Sequence, residues 1–226
     1  MRAIFLGAML MLPATMAQAQ ILGQNSRPEI NNNQTQSSAW GMNYDQKRNS
    51  GFKADDYQLA PFELKALREL EKRIAAGDVA KAREAAVKAE AAATSPDGQF
   101  VLGALELQLA DKALDEALRV KATDRVLASG KAPVAMLPVL YKNQGMYALG
   151  RNDLATADKA FTRLVDLNPL PETMIILAQV KTDRGAYAEA VPLFDKAIGA
   201  KKASGQPVPE VWVKVADQVR TKVAGR

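Results

Sequence analysis

Past Pro61 the chain falls into nine runs of about 13 to 18 residues in which apolar positions recur every three or four residues, with glycine, proline, asparagine or aspartate between them. The first, residues 62–78, places Leu64, Leu67, Leu70 and Ile74 near one face and pairs Glu69 with Arg73 at i,i+4 on the other. The runs at 79–93, 98–110, 113–130, 134–150, 153–168, 171–185, 186–202 and 209–224 follow the same rule. Two-residue alternation of the kind a half-buried strand needs is absent from this region. The pattern predicts an all-α domain built from successive helix pairs.

The last paired run, "RGAYAEAVPLFDKAIGAKK", carries Pro192 near its start. An interior proline removes a backbone donor and crowds the carbonyl four residues back, at a cost of roughly 3 kcal/mol in an isolated helix. Pro192 is expected to face outward, where the carbonyl of Ala188 can tilt toward water and a mild bend is tolerated. Packing of Phe194 and Ala197 on the opposite face should hold the helix together. Pro192 is therefore read as a detail of helix curvature, with no functional role.

Before Pro61 the pattern changes. Residues 1–19 combine a positive Arg2, an apolar stretch from about Ala3 to Met11, and the small-x-small triplet Ala17-Gln18-Ala19. That is the three-part layout of a cleaved secretory signal, and the apolar stretch is well short of the ~20 residues a membrane span needs. Periplasmic export follows as an expectation. Residues 20–60 are rich in Asn, Gln and Ser without sustained periodicity, and read as a disordered polar arm. Its aromatics, Trp40, Tyr44, Phe52 and Tyr57, are either incidental or a linear motif that docks on a groove.

Helices in pairs invite a search for a repeat. The small residue near the start of each second helix gives Ala82, Ala117, Ala157 and Ala190, spaced by 35, 40 and 33 residues. In the last unit Gly185, Ala190, Phe194 and Ala197 stand at offsets 0, 5, 9 and 12. The unit before it has Tyr141, Gly145, Ala157, Phe161 and Pro169, with Asn152 where glycine is usual. Asparagine also tolerates the left-handed conformation of a tight turn. These spacings resemble the tetratricopeptide repeat (TPR) family, most closely over about Leu137 to Lys202. Leu102-Gly103 resembles the family's Leu-Gly pair, though about two extra residues separate it from Ala117. In the first unit Gly77, Ala82 and Ala89 fit, but Ala86 replaces the aromatic and the first helix has none of the family's residues.

The resemblance implies a TPR-like right-handed superhelical solenoid of antiparallel helix pairs. Four repeats would occupy 61–204, and a C-terminal capping helix 205–226. Within the cap, Val211, Val215, Val219 and Val223 form a stripe, Lys214, Arg220 and Lys222 lie off it, and Trp212 packs on the last repeat. It also implies that the first helix of each unit lines a concave groove. Matched position by position, the groove candidates are Lys142, Met146, Leu149, Ile175, Gln179 and Thr182. The lysine and asparagine set with which some relatives clamp a C-terminal carboxylate is not matched.

Composition narrows the chemistry. The chain has 30 Lys and Arg against 25 Asp and Glu, a net charge of +5 that drops to +4 if Arg2 leaves with the signal. That excess is spread without a basic stripe, which argues against nucleic acid as a partner. There is no histidine and no cysteine, so the usual neutral-pH acid–base group, thiol chemistry, a lipid-anchoring cysteine and the commonest metal ligands are all missing. The carboxylate pairs Asp55-Asp56 and Asp115-Glu116 are adjacent and cannot share a helix face. Phosphate-loop, zinc-protease and serine-elbow patterns are also absent. The expectation is a non-catalytic scaffold without cofactor or metal, binding a protein or peptide of the bacterial cell envelope. A module associated with glycan or peptidoglycan is the alternative; only Tyr141 and Tyr147 lie near the groove as sugar platforms.

Overall fold

The computed structural model describes residues 57–225. Nine α-helices and one short 3-10 turn make up the described region, which contains no strand. In chain order they are α1 (Pro61–Ala75), α2 (Val79–Ala92), α3 (Pro96–Ala113), α4 (Glu116–Ala128), the 3-10 turn Val134–Met136, α5 (Leu137–Gly150), α6 (Leu154–Leu167), α7 (Pro171–Asp183), α8 (Tyr187–Ala203) and α9 (Glu210–Ala224). None of these helices is long and apolar enough to cross a membrane. The signal-like segment and all of the polar arm up to residue 56 lie outside the described residues.

The helices pair through one turn used four times. Gly77, Leu114, Asn152 and Gly185 each take a left-handed conformation, with φ of 73°, 51°, 58° and 76°. The next residue opens the second helix. At each turn the amide of that next residue donates to a carbonyl five residues back, at 2.8–3.3 Å, and the left-handed residue donates to one three back. This double bond closes the first helix by satisfying carbonyls that would otherwise be orphaned. Asp78, Asp115 and Asp153 then cap α2, α4 and α6, accepting from Lys81, Leu118 and Thr156 at 2.9–3.0 Å. Ala186 stands in that place before α8 without a side-chain cap. As expected, Asn152 substitutes for glycine. Leu114 does so too, and no sequence signal foretold it.

This turn fixes the repeat register and corrects one assignment. Four residues after the helix-opening position stand Ala82, Arg119, Ala157 and Ala190. The three alanines are fully buried, whereas Ala117, assigned by sequence to this set, is exposed. Helix α3 runs 18 residues, against 14 in α5 and 13 in α7. That extra turn of helix is why the spacing after Gly103 is too long for the family pattern.

The core is a chain of clusters. One gathers buried residues of α1 to α4 with Leu140, a second those of α5 to α7, and a third those of α7 to α9. Val165 and Leu193 touch both of the last two. Tyr57 and Leu59 pack on the first cluster, and Tyr57 meets the Phe100 ring with centroids 5.4 Å apart. Residues 57–60, assigned by sequence to the disordered arm, are therefore part of the fold. In α9 the packed face is Trp212, Ala216 and Val219, flanked by Val211 and Val215, while Val223 is exposed. The valine stripe thus turns away at its end. Pro192 is exposed and Phe194 and Ala197 are fully buried, as the outward-facing proline required.

Candidate functional site

The turn register allows the first helices of the four units to be compared row by row. Seven residues before each helix-opening position stand Glu71, Gln108, Met146 and Gln179, and every one keeps solvent exposure. This row is an accessible stripe shared by all four units. Eleven residues before, the sequence of exposures changes: Leu67, Ala104 and Ile175 are buried, and Lys142 alone is exposed. Four before, Ile74 is buried, Asp111 exposed, and Leu149 and Thr182 half-buried.

Of the six groove candidates, Lys142 and Met146 therefore face solvent, on one side of α5. Leu149 packs on the middle cluster. Thr182 turns its hydroxyl back onto the Ala178 carbonyl at 2.8 Å, and Gln179 donates to Asp183 at 2.7 Å while its Oε1 is buried without a partner. Ile175, only 2% exposed, belongs to the cluster that holds Trp212 and Ala216. Its assignment to a ligand-contacting surface is corrected: the side chain is core, because the capping helix contributes to the cluster that encloses it.

Sequence reasoning missed a polar constellation where α4 meets α5. Arg119 occupies the place of the repeat's buried alanine. Its Nη2 donates to Asp111 of α3 at 2.8 Å, and the Tyr147 side chain of α5 stands close enough to favour its charge. Its Nε is buried without a partner. Thr123, Met136, Val139 and Asn143 complete a shallow depression beside it. An arginine at an alanine position of the repeat was the available signal, but a misplaced register hid it.

Two further ionic clusters tie helices together. Glu106 is 1% exposed and meets Arg125 Nε at 2.8 Å, while Arg125 also reaches Glu90 at 2.5 Å. Burial pushes the Glu106 carboxyl up, opposed by Arg125 and Lys121. Asp158 on α6 holds Lys181 at 3.0 Å and also pairs with Arg184. Both tie neighbouring helices together, each pairing a buried carboxylate with partly exposed partners. Among the described residues no group of three acidic, histidine or cysteine side chains is arranged to hold a metal. No protein-family model, curated protein or solved structure matches the chain.

Proposed function

We propose that the chain is an exported α-solenoid of the TPR type, its helix pairs wound as a right-handed superhelix, that binds a protein segment of the cell envelope and performs no chemistry itself. The observation that carries this proposal is the fourfold use of one helix–turn–helix unit with one turn geometry. Stacked units of that kind bury a continuous core and leave a long surface for a partner. The row Glu71, Gln108, Met146 and Gln179 supplies amide and apolar contacts, and Lys142 adds a cation, a mixture suited to a peptide. A glycan is disfavoured because Tyr141, one of its two candidate platforms, packs on the middle cluster, and Tyr147, the other, stands beside the charged Arg119.

Site-specific photo-cross-linking in intact envelopes tests this. A cross-linking residue at Gln108 or Met146 should capture one defined protein adduct, and the same residue at Val87 on α2 should not. Met146→Asp should abolish the Gln108 adduct. Ile175 is unsuitable as a probe because a charge there would disrupt the core. Equal adducts at all three positions, or none at any, would remove the groove as the binding surface.

A further inference from the structure

The junctions between successive units differ in how they are tied. Between units one and two, Glu63 on α1 accepts from the amides of Thr94 and Ser95 at 2.8 and 2.7 Å. Arg83 on α2 pairs with Asp115 at 2.7 Å, and Glu90 on α2 pairs with Lys121 and Arg125 on α4. Between units three and four, Asp158 holds Lys181 and Arg184. Between unit four and the cap, Arg220 pairs with Asp195, and Lys201 and Lys222 lie over the Trp212 and Tyr187 rings at 5.8 and 5.1 Å.

Between units two and three, by contrast, no ion pair among the described residues crosses. One hydrogen bond does: Gln144 donates to Asp124 at 2.8 Å. The last two core clusters share Val165 and Leu193, but the first reaches α5 only through Leu140. Residues 129–136 form the longest connection between described helices. The depression beside Arg119, with its buried unpartnered Nε, opens at this same place.

We propose that the α4–α5 junction is a hinge between two stiff blocks, residues 57–128 and 137–225. Domain hinges form where a few packed residues and a connection absorb rotation while tightly bonded neighbours move as bodies. Here each block is internally laced by charge pairs and a continuous core, and the boundary is held by one small apolar contact region and one hydrogen bond. Lys142 and Met146 sit on α5 in the second block, and Gln108 sits on α3 of the first. Rotation would therefore alter the spacing of the row proposed above as the binding surface. The hinge itself stands on the junction geometry and does not depend on that function.

The absence of cysteine makes the test direct, because every spin label can be placed at will on the full chain. Three exposed pairs suffice: Glu84→Cys with Lys112→Cys inside the first block, Lys159→Cys with Lys196→Cys inside the second, and Lys88→Cys with Lys159→Cys across the junction. Electron-electron dipolar distances should give a distribution across the junction at least about two-fold broader than within either block, as rotation of packed bodies requires. Gln144→Lys, which sets a cation against Asp124, should narrow the crossing distribution and leave the other two unchanged. Equal widths for all three pairs would overturn the hinge. So would a broad crossing distribution that Gln144→Lys fails to narrow, since the breadth would then arise elsewhere.

Discussion

The two halves of the repeat region fill the same packing position in opposite ways. Eight residues before each helix-opening position, and eight after it, stand two buried residues of one unit, which in unit three lie directly against each other. In the first half these are Leu70 with Ala86 and Leu107 with Thr123; in the second they are Gly145 with Phe161 and Ala178 with Phe194. Large meets small in every case, but the large partner is on the first helix in units one and two and on the second helix in units three and four. Close packing constrains the summed volume of the pair more than the identity of either member. Successive helix pairs can therefore change which helix supplies the bulk and keep one turn geometry.

The strongest test exchanges the arrangement within unit three. A Cβ on Gly145 would lie 2.7 Å from Cε2 and 2.8 Å from Cζ of Phe161, whose ring is fully buried and cannot withdraw. Gly145→Leu should thus destabilise by more than the ~1–3 kcal/mol of ordinary overpacking. Phe161→Ala alone should cost about 3–5 kcal/mol through the cavity it leaves. The double variant recreates the Leu–Ala pair of unit one, and chemical denaturation should find it more stable than Gly145→Leu, with a favourable coupling energy. Additive losses would mean that the two halves are not interchangeable solutions of one packing problem.

A second difference is electrostatic and belongs to the first half. Glu63 is 1% exposed, yet its carboxyl is held down at about 2. Burial pushes the other way, but hydrogen bonds from the Ser95, Ala60 and Thr94 amides and the Ser95 hydroxyl outweigh it. The folded-state value lies below the unfolded one, so the unfolded chain binds the extra proton first. The resulting stability is fully present above about pH 4.5 and is lost as pH falls toward 2, with a span of roughly 3 kcal/mol. Thermal melts of the wild type should show this acid loss, and Glu63→Gln should be weaker at neutral pH and lack that part of the pH dependence. A parallel loss in both proteins would show that the acid sensitivity comes from other carboxylates. Gly98 is bound into the same arrangement, since a Cβ there would fall 2.6 Å from Glu63 Oε1.

These contrasts explain what could be read from the chain alone. Helix boundaries and the all-α class follow from apolar periodicity and punctuation, and in the second half Gly145, Phe161 and Phe194 drew notice because they stand at the spacing of the motif that the chain resembles. The first half carries the same complementarity in reverse, so a motif that specifies a small first residue and an aromatic second one passes over it. Nothing in the sequence marked Glu63, because the amides that enclose it come from 31 and 32 residues further on. Ile175 was placed in the groove by position in the repeat, and only the folded cap reveals that its surroundings are core. The signal for Leu114 was weakest of all: leucine at a left-handed position gives a reader nothing to recognise.

Leu114 also offers the mildest contrast between the halves. It adopts φ of 51° with 86% of its surface exposed, so its side chain contributes little packing to offset a conformation that costs a leucine roughly 1–2 kcal/mol. Asn152, at the matching turn of unit three, adopts φ of 58° with a residue type that enters this region more readily. Leu114→Gly removes the steric penalty but makes the unfolded chain more flexible, which offsets part of the gain. The net should be a stabilisation of about 0.5–1 kcal/mol, against a few tenths or less for Asn152→Gly, measurable as paired shifts of the denaturation midpoint at unchanged slope. If Leu114→Gly instead destabilised the chain, the exposed leucine would have to be making an interaction that its 86% exposure argues against, and the equivalence of the four turns would hold in geometry but fail in energy.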